Sequence, residues 1–233
     1  MQSRERDAGK IAGRVARGLR MVLWSAVILG VCFVLWKLLF PVICGPCEPG
    51  PRQAAHSAIR NIANALKNYK ADYGHFPKIG KPLTNGKRIV CVGDPACKAS
   101  SGPNSLIFDV LRDIPRGPNA NHALNPKQQK YFEDRAARDP KNPRGGFADG
   151  PEFADAIQGC LLDPWGRQYC IMFTMDDSGT VDVSAVYSDF DIVRQPVVAF
   201  SLGKDGIVGG KGYEGRYRPL KATDSPDDAI SWE

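Results

Sequence analysis

Three hydrophobic patterns follow one another along the chain. The first is a continuous run, MVLWSAVILGVCFVLWKLLF (Met21–Phe40), interrupted only by Ser25 and Lys37. As a helix it would rise about 30 Å, the thickness of a bilayer's hydrocarbon core. Lys37 falls one turn from its end, where a long stem can reach the interface, and Trp24 and Trp36 sit near the two ends. The run predicts a transmembrane helix over 21–40. No small-x-small cleavage phrase follows Phe40, so we expect a retained anchor and not a removed leader. The next stretch, PVICGPCEPGP (Pro41–Pro51), breaks any helix with Pro and Gly and predicts a linker.

The second pattern has helical period. In RQAAHSAIRNIANALKNYKADYG the apolar positions Ala55, Ile59, Ile62, Leu66, Tyr69 and Tyr73 recur every three or four residues, which predicts an amphipathic helix over 52–73 ending at Gly74. Residues 78–103 and 139–152 are rich in Gly and Pro and read as loops. Between them, 104–114 predicts a short helix capped by Asn104, and Asn125-Pro126 predicts another through about Arg138.

The third pattern alternates. Gln168–Met175, Thr180–Tyr187 and Pro196–Leu202 predict strands, the first two joined as a hairpin through Asp176–Gly179 and the third extending it to a small antiparallel sheet. Helix first and strands later means α+β. The expected organisation is therefore a cytoplasmic segment 1–20, a membrane helix 21–40, a linker 41–51 and an exported domain 52–233.

Charge refines this picture. The net charge is +6, but residues 1–20 carry Arg4, Arg6, Lys10, Arg14, Arg17 and Arg20 against Glu5 and Asp7, so most of the excess lies before the apolar run. The positive-inside rule then puts the N-terminus in the cytoplasm, the chain in the inner membrane as a single pass, and the domain outside it. A nucleic-acid partner gains no support from the remainder.

Six of the seven cysteines fall in the exported part, where disulfides persist, as sequence-local pairs Cys44/Cys47, Cys91/Cys97 and Cys160/Cys170. Spacing leaves their connectivity open. Cys44-Gly45-Pro46-Cys47 has the filling of a thiol–disulfide redox centre, but Glu48, Pro49, Gly50 and Pro51 do not start the helix such a centre needs. Zinc held by Cys44, Cys47, Cys91 and Cys97 suffers from the wide gap in the second pair. His56, His75 and His122 match no metal spacing, and no GxSxG or phosphate-loop phrase occurs, so no enzymatic activity is expected.

Three phrases remain, in order: AIRNIANALKNYKADYGHFP (Ala58–Pro77), LLDPWGRQY (Leu161–Tyr169), and FSLGKDG (Phe200–Gly206) with DDAISW (Asp227–Trp232). Behind a membrane span, together they resemble the major pseudopilins of type II secretion systems, the general secretion pathway protein G family. The resemblance covers about half of the exported part. It implies an amphipathic helix packed on a small antiparallel sheet, here with Cys-bearing loop insertions. It implies calcium at the C-terminal loop, held by backbone oxygens of Leu202 and Ile207 and the carboxylates of Asp205 and Asp227, with Asp228 nearby. It also implies a structural role in a secretion or pilus-like assembly, with a homo-oligomer or other secretion-system subunits as partners. The loop has its own physical logic: calcium takes oxygen ligands, and Gly203 and Gly206 let the chain curl so that oxygens converge. The chain diverges from the family in lacking the prepilin processing phrase, and its prolines break the stalk. Two other readings follow from the sequence: an anchored thiol–disulfide protein using Cys44 and Cys47, and an anchored binding domain of pseudopilin fold that does not polymerise.

Overall fold

The computed structural model describes residues 24, 25, 27–36, 50–83, 88–212, 214–218 and 227–232. The chain divides into two units, Met1–Glu48 and Pro49–Glu233. In the first, residues 27–36 are helical, and Leu29, Phe33 and Trp36 are exposed. Among the described residues no helix is long and apolar enough to cross a membrane. The expected span over 21–40 runs beyond these residues at both ends. The basic segment 1–20 and both cysteines of the Cys44–Cys47 phrase also lie outside the described residues.

The second unit begins with α1, Pro51–Tyr73. Pro51 stands in its first turn, where the missing N–H costs nothing. Gly74 ends it in the left-handed region (φ +76°), its N–H donating to Lys70 O. The expected stripe is buried: Ala55, Ile59, Ile62, Leu66 and Tyr69, joined by Ala63 and Ala65. A side chain such as Leu66, fully buried here, contributes about 1.5–3 kcal/mol by leaving water.

This stripe packs on a four-stranded sheet. The sheet consists of β1 (Ile89–Val92), β4 (Cys170–Thr174), β7 (Val197–Ser201) and β8 (Ala229–Ile230), in the order β1-β4-β7-β8. All pairings are antiparallel, with Cys91 opposite Met172, Met172 opposite Val198, and Phe200 opposite Ile230. Alternation sorts the side chains. Val90, Val92, Ile171, Phe173, Val197, Ala199 and Ala229 face α1. Cys91, Cys170, Met172, Val198, Phe200 and Ile230 face a second core, closed by Cys97, Val181, Val183, Tyr187 and Leu202. The sheet is thus buried on both sides, and the α+β class holds. Two small hairpins accompany it: β2 (Gly146–Phe147) with β3 (Leu161–Leu162), and β5 (Val181–Asp182) with β6 (Ile192–Val193).

Four sequence expectations need correction. Residues 78–103 and 139–152 are not all loop, because β1 and β2 lie within them. β4 does not form a hairpin with the 180–187 run but pairs with β7. That run stops after Asp182, whose Oδ1 accepts the N–H and hydroxyl of Ser184 and turns the chain. The helix expected over 125–138 is absent. Asn125 is fully buried and its side chain takes over the backbone groups there: Nδ2 donates to Val110 O and Gln129 O, and Oδ1 accepts Gln129 N–H. Finally, the short helix is α2, Ser105–Leu111, and the Asn104 side chain makes no cap bond. Asn104 instead ties α2 to the sheet, donating to Leu161 O and Tyr169 O and accepting Leu161 N–H.

Candidate functional site

β7 runs out at Ser201 into the Leu202–Ile207 loop. Gly203 makes that possible. Its φ is +62°, and a Cβ there would lie 2.6 Å from the backbone carbonyl of Asp227. Only a residue without a side chain lets the two segments approach so closely. Leu202 O accepts Gly206 N–H at 3.1 Å, which closes the curl.

Asp205 organises the rest. Its Oδ1 accepts Ile207 N–H (2.8 Å), its Oδ2 accepts Lys211 N–H (3.1 Å), and its own N–H donates to Asp227 Oδ2 (3.0 Å). Beneath them Asp228 is fully buried. Its Oδ2 accepts Tyr187 O–H (2.8 Å) and Gly209 N–H (2.7 Å), while its Oδ1 is buried without a partner. Burial pushes the Asp228 carboxyl up to about 7, against the pull of those two donors; the charges of Asp227 and Asp205 push it further in the same direction. All five residues expected at the loop, Leu202, Asp205, Ile207, Asp227 and Asp228, are therefore brought to one end of the sheet.

The donor chemistry suits a hard cation: carboxylates and carbonyls, with one carboxylate oxygen orphaned. Among the described residues no three or more His, Cys, Asp or Glu side chains already converge as a metal cluster. Asp205 and Asp227 instead spend oxygens on loop N–H groups. A carboxylate oxygen has a second lone pair, so these bonds do not bar a cation.

The sequence did not reveal what supports this loop. Asp163, from the Asp-Pro-Trp-Gly phrase, is fully buried beside it. Its Oδ1 accepts the N–H groups of Trp165 and Arg167, and its Oδ2 accepts Ser201 O–H at 2.6 Å. Burial nevertheless raises its carboxyl above the ordinary range. The Arg167 guanidinium lies directly against Gly206, where any Cβ would collide with it. The Asp-Pro dipeptide signals a turn but carries no sign of its reach to Ser201. The alternation of 180–187 marks Tyr187 only as a strand residue and gives no sign that its hydroxyl meets Asp228.

The cysteines sort differently from their sequence order. Cys91, Cys97, Cys160 and Cys170 are buried thiols. Cys91, Cys97 and Cys170 share the second core, where the other two thiols help to hold the Cys97 thiol well below its ordinary range. Cys160 lies in a separate cluster with Ala137, Ala148, Phe153 and Leu162, so the local pair Cys160/Cys170 is not brought together.

Comparison with protein-family models, with curated proteins and with solved structures returns no match.

Proposed function

We propose that the chain is a membrane-anchored, pseudopilin-like structural subunit or accessory of a type II secretion or pilus-like assembly, with calcium stabilising its C-terminal loop. The observation that carries this reading is the bond from Asp205 N–H to Asp227 Oδ2 at the close approach of Asp227 to Gly203, with the neighbouring buried Asp228 Oδ1 unpartnered. Calcium would compensate the charges of Asp205 and Asp227 and favour the ionised form of Asp228, whose carboxyl burial and those charges push up. Asp205 and Asp227 would hold it with the carbonyls of Leu202 and Ile207, and Asp228 would supply charge from below.

The long amphipathic helix on an antiparallel sheet supports the same reading, as does the coupling of the Asp163 turn to Ser201. So does the helix at 27–36, whose large apolar side chains want a non-aqueous environment. In this reading the domain sits outside the inner membrane with its N-terminus in the cytoplasm, and its partners are copies of itself or other secretion-system subunits.

Thermal melts with calcium and with chelator test the metal. A calcium-dependent rise in Tm that Asp205→Ala and Asp227→Ala both abolish is expected, since ligands that bind only the native state stabilise it. An unchanged Tm would remove calcium from the proposal. A photo-crosslinker at exposed Arg60 or Lys67 on α1 tests assembly in cells: ladders of the chain, or adducts with other pseudopilins, are expected.

A further inference from the structure

The second core holds three cysteine thiols where a single stapled pair was expected. Cys91 on β1 stands opposite Met172 on β4, so Cys170 is its diagonal neighbour on the same face of the sheet. Diagonal residues stand roughly 7–8 Å apart, and a disulfide needs Cβ atoms at about 3.5–4.5 Å. A direct Cys91–Cys170 bond is therefore disfavoured. Cys97 is the third thiol of the same core. It comes from the turn after β1, where Asp94 Oδ1 accepts Ala96 N–H and Cys97 N–H donates to Asp94 O. That turn carries its side chain into the same buried cluster as both strand sulfurs.

We infer that Cys97 is the common partner of a three-sulfur exchange centre, oxidised by a small disulfide to a bond with either Cys170 or Cys91. In the first step the Cys97 thiolate attacks one sulfur of the external disulfide RSSR. A mixed disulfide forms on Cys97 and RS⁻ leaves. A strand thiol then gives its proton to solvent and attacks the Cys97 sulfur, expelling the second RS⁻. Two protein thiols are oxidised and one external disulfide is reduced to two RSH. The remaining strand thiol can attack Cys97 in turn, which moves the bond between Cys91 and Cys170 without net electron transfer.

The electrostatics match these roles. Hydrogen bonds from the Cys170 thiol first, then the Cys91 thiol, and from the N–H groups of Ala99 and Ser100, favour the Cys97 thiolate and outweigh its burial. Cys91 and Cys170 are pushed the other way, Cys91 mainly by its hydrogen bond to Cys97 and Cys170 mainly by burial. Cys97 itself is buried, but Ala96 and Lys98, which flank it, line a cavity of about 600 Å³, so a local opening of the 93–101 loop is what admits the oxidant. The consequence is a covalent tie, made in either of two places, between the 93–101 loop and the sheet beneath it.

Trypsin separates the candidates cleanly. Residues 89–98 carry Cys91 and Cys97, residues 145–167 carry Cys160, and residues 168–194 carry Cys170. The full chain, solubilised in detergent and folded, is incubated with oxidised glutathione, quenched with N-ethylmaleimide in denaturant, digested and weighed. Expected are an internal disulfide in 89–98 and a crosslink of 89–98 to 168–194. Cys91→Ala should leave only the crosslink, and Cys170→Ala only the internal bond. Cys97→Ala, checked for native circular dichroism, should leave Cys91 and Cys170 unjoined. The inference is overturned if wild type gives chiefly the 145–167 to 168–194 crosslink, if its thiols remain fully alkylated after prolonged oxidation, or if Cys97→Ala joins Cys91 to Cys170 as readily as wild type joins its own pair. The wild-type peptides decide between the first two even if a variant fails to fold.

Discussion

The hydroxyl of Ser201, the last residue of β7, donates to the buried carboxylate of Asp163 at 2.6 Å. This bond joins the turn before β4 to the start of the C-terminal loop, which stand 38 residues apart. Ser201 Oγ also accepts Gly203 N–H, so one hydroxyl braces the turn, the strand end and the glycine that admits Asp227. Ser201→Ala should cost about 1–3 kcal/mol, because it leaves a buried carboxylate oxygen without its donor. Urea unfolding followed by circular dichroism should show a lower midpoint with an unchanged slope.

Gly203→Ala should be worse than its one added methyl suggests. The residue is held at φ +62°, and its Cβ would meet Asp227 at 2.6–2.7 Å. A loss of about 1–3 kcal/mol from backbone strain is expected, with more from the displaced Asp227 segment. Calcium-induced stabilisation should fall with it. Calcium titrations followed by Tm check both effects, and a variant that melts and responds as wild type would contradict the close approach.

Asp228 makes the loop sensitive to pH. Its carboxyl titrates near 7 in the folded chain, against 3.8 ordinarily. A carboxyl raised by folding binds its proton more tightly in the native state. Its stabilising contribution is therefore present below the ordinary value and is lost as pH rises through about 7. With chelator, Tm should decline between about pH 4 and pH 7 more steeply in wild type than in Asp228→Asn. Saturating calcium should flatten the wild-type decline, because a bound cation favours the ionised carboxylate.

Asn104 is fully buried and its side chain makes three hydrogen bonds to the backbones of Leu161 and Tyr169. Asn104→Ala should cost about 2–4 kcal/mol, the sum expected when several buried backbone groups lose their partners together. Asn104→Asp should be no better, since a carboxylate cannot donate to the two carbonyls. Chemical denaturation measures both. A loss below about 0.5 kcal/mol would place Asn104 among ordinary surface residues.

Where a property depends on local periodicity, it was legible in the residues. The stripe from Ala55 to Tyr69, the Gly74 stop and the inward face of Tyr169, Ile171 and Phe173 all follow from spacing, because one buried face demands one period. The turn at Gly203 was legible too, since its glycines and carboxylates lie within a few residues. Strand partnership was not. β4 pairs with β7 across an inserted hairpin, and nothing in the 180–187 alternation reveals that Asp182 will turn the chain at Ser184. Nor does sequence show that a buried Asn125 or Asn104 will satisfy backbone groups in place of a helix or a cap.

The residues alone determined which segments alternate, which curl, and which carry the acids and thiols. Tertiary structure decided which of them meet. Asp163 reaches Ser201, Tyr187 reaches Asp228, and Cys97 shares a core with Cys91 and Cys170 and not with Cys160. The physical reason is that period and turn chemistry act over a few residues. Contacts between distant segments are selected by packing both faces of one sheet at once, a condition no single segment contains.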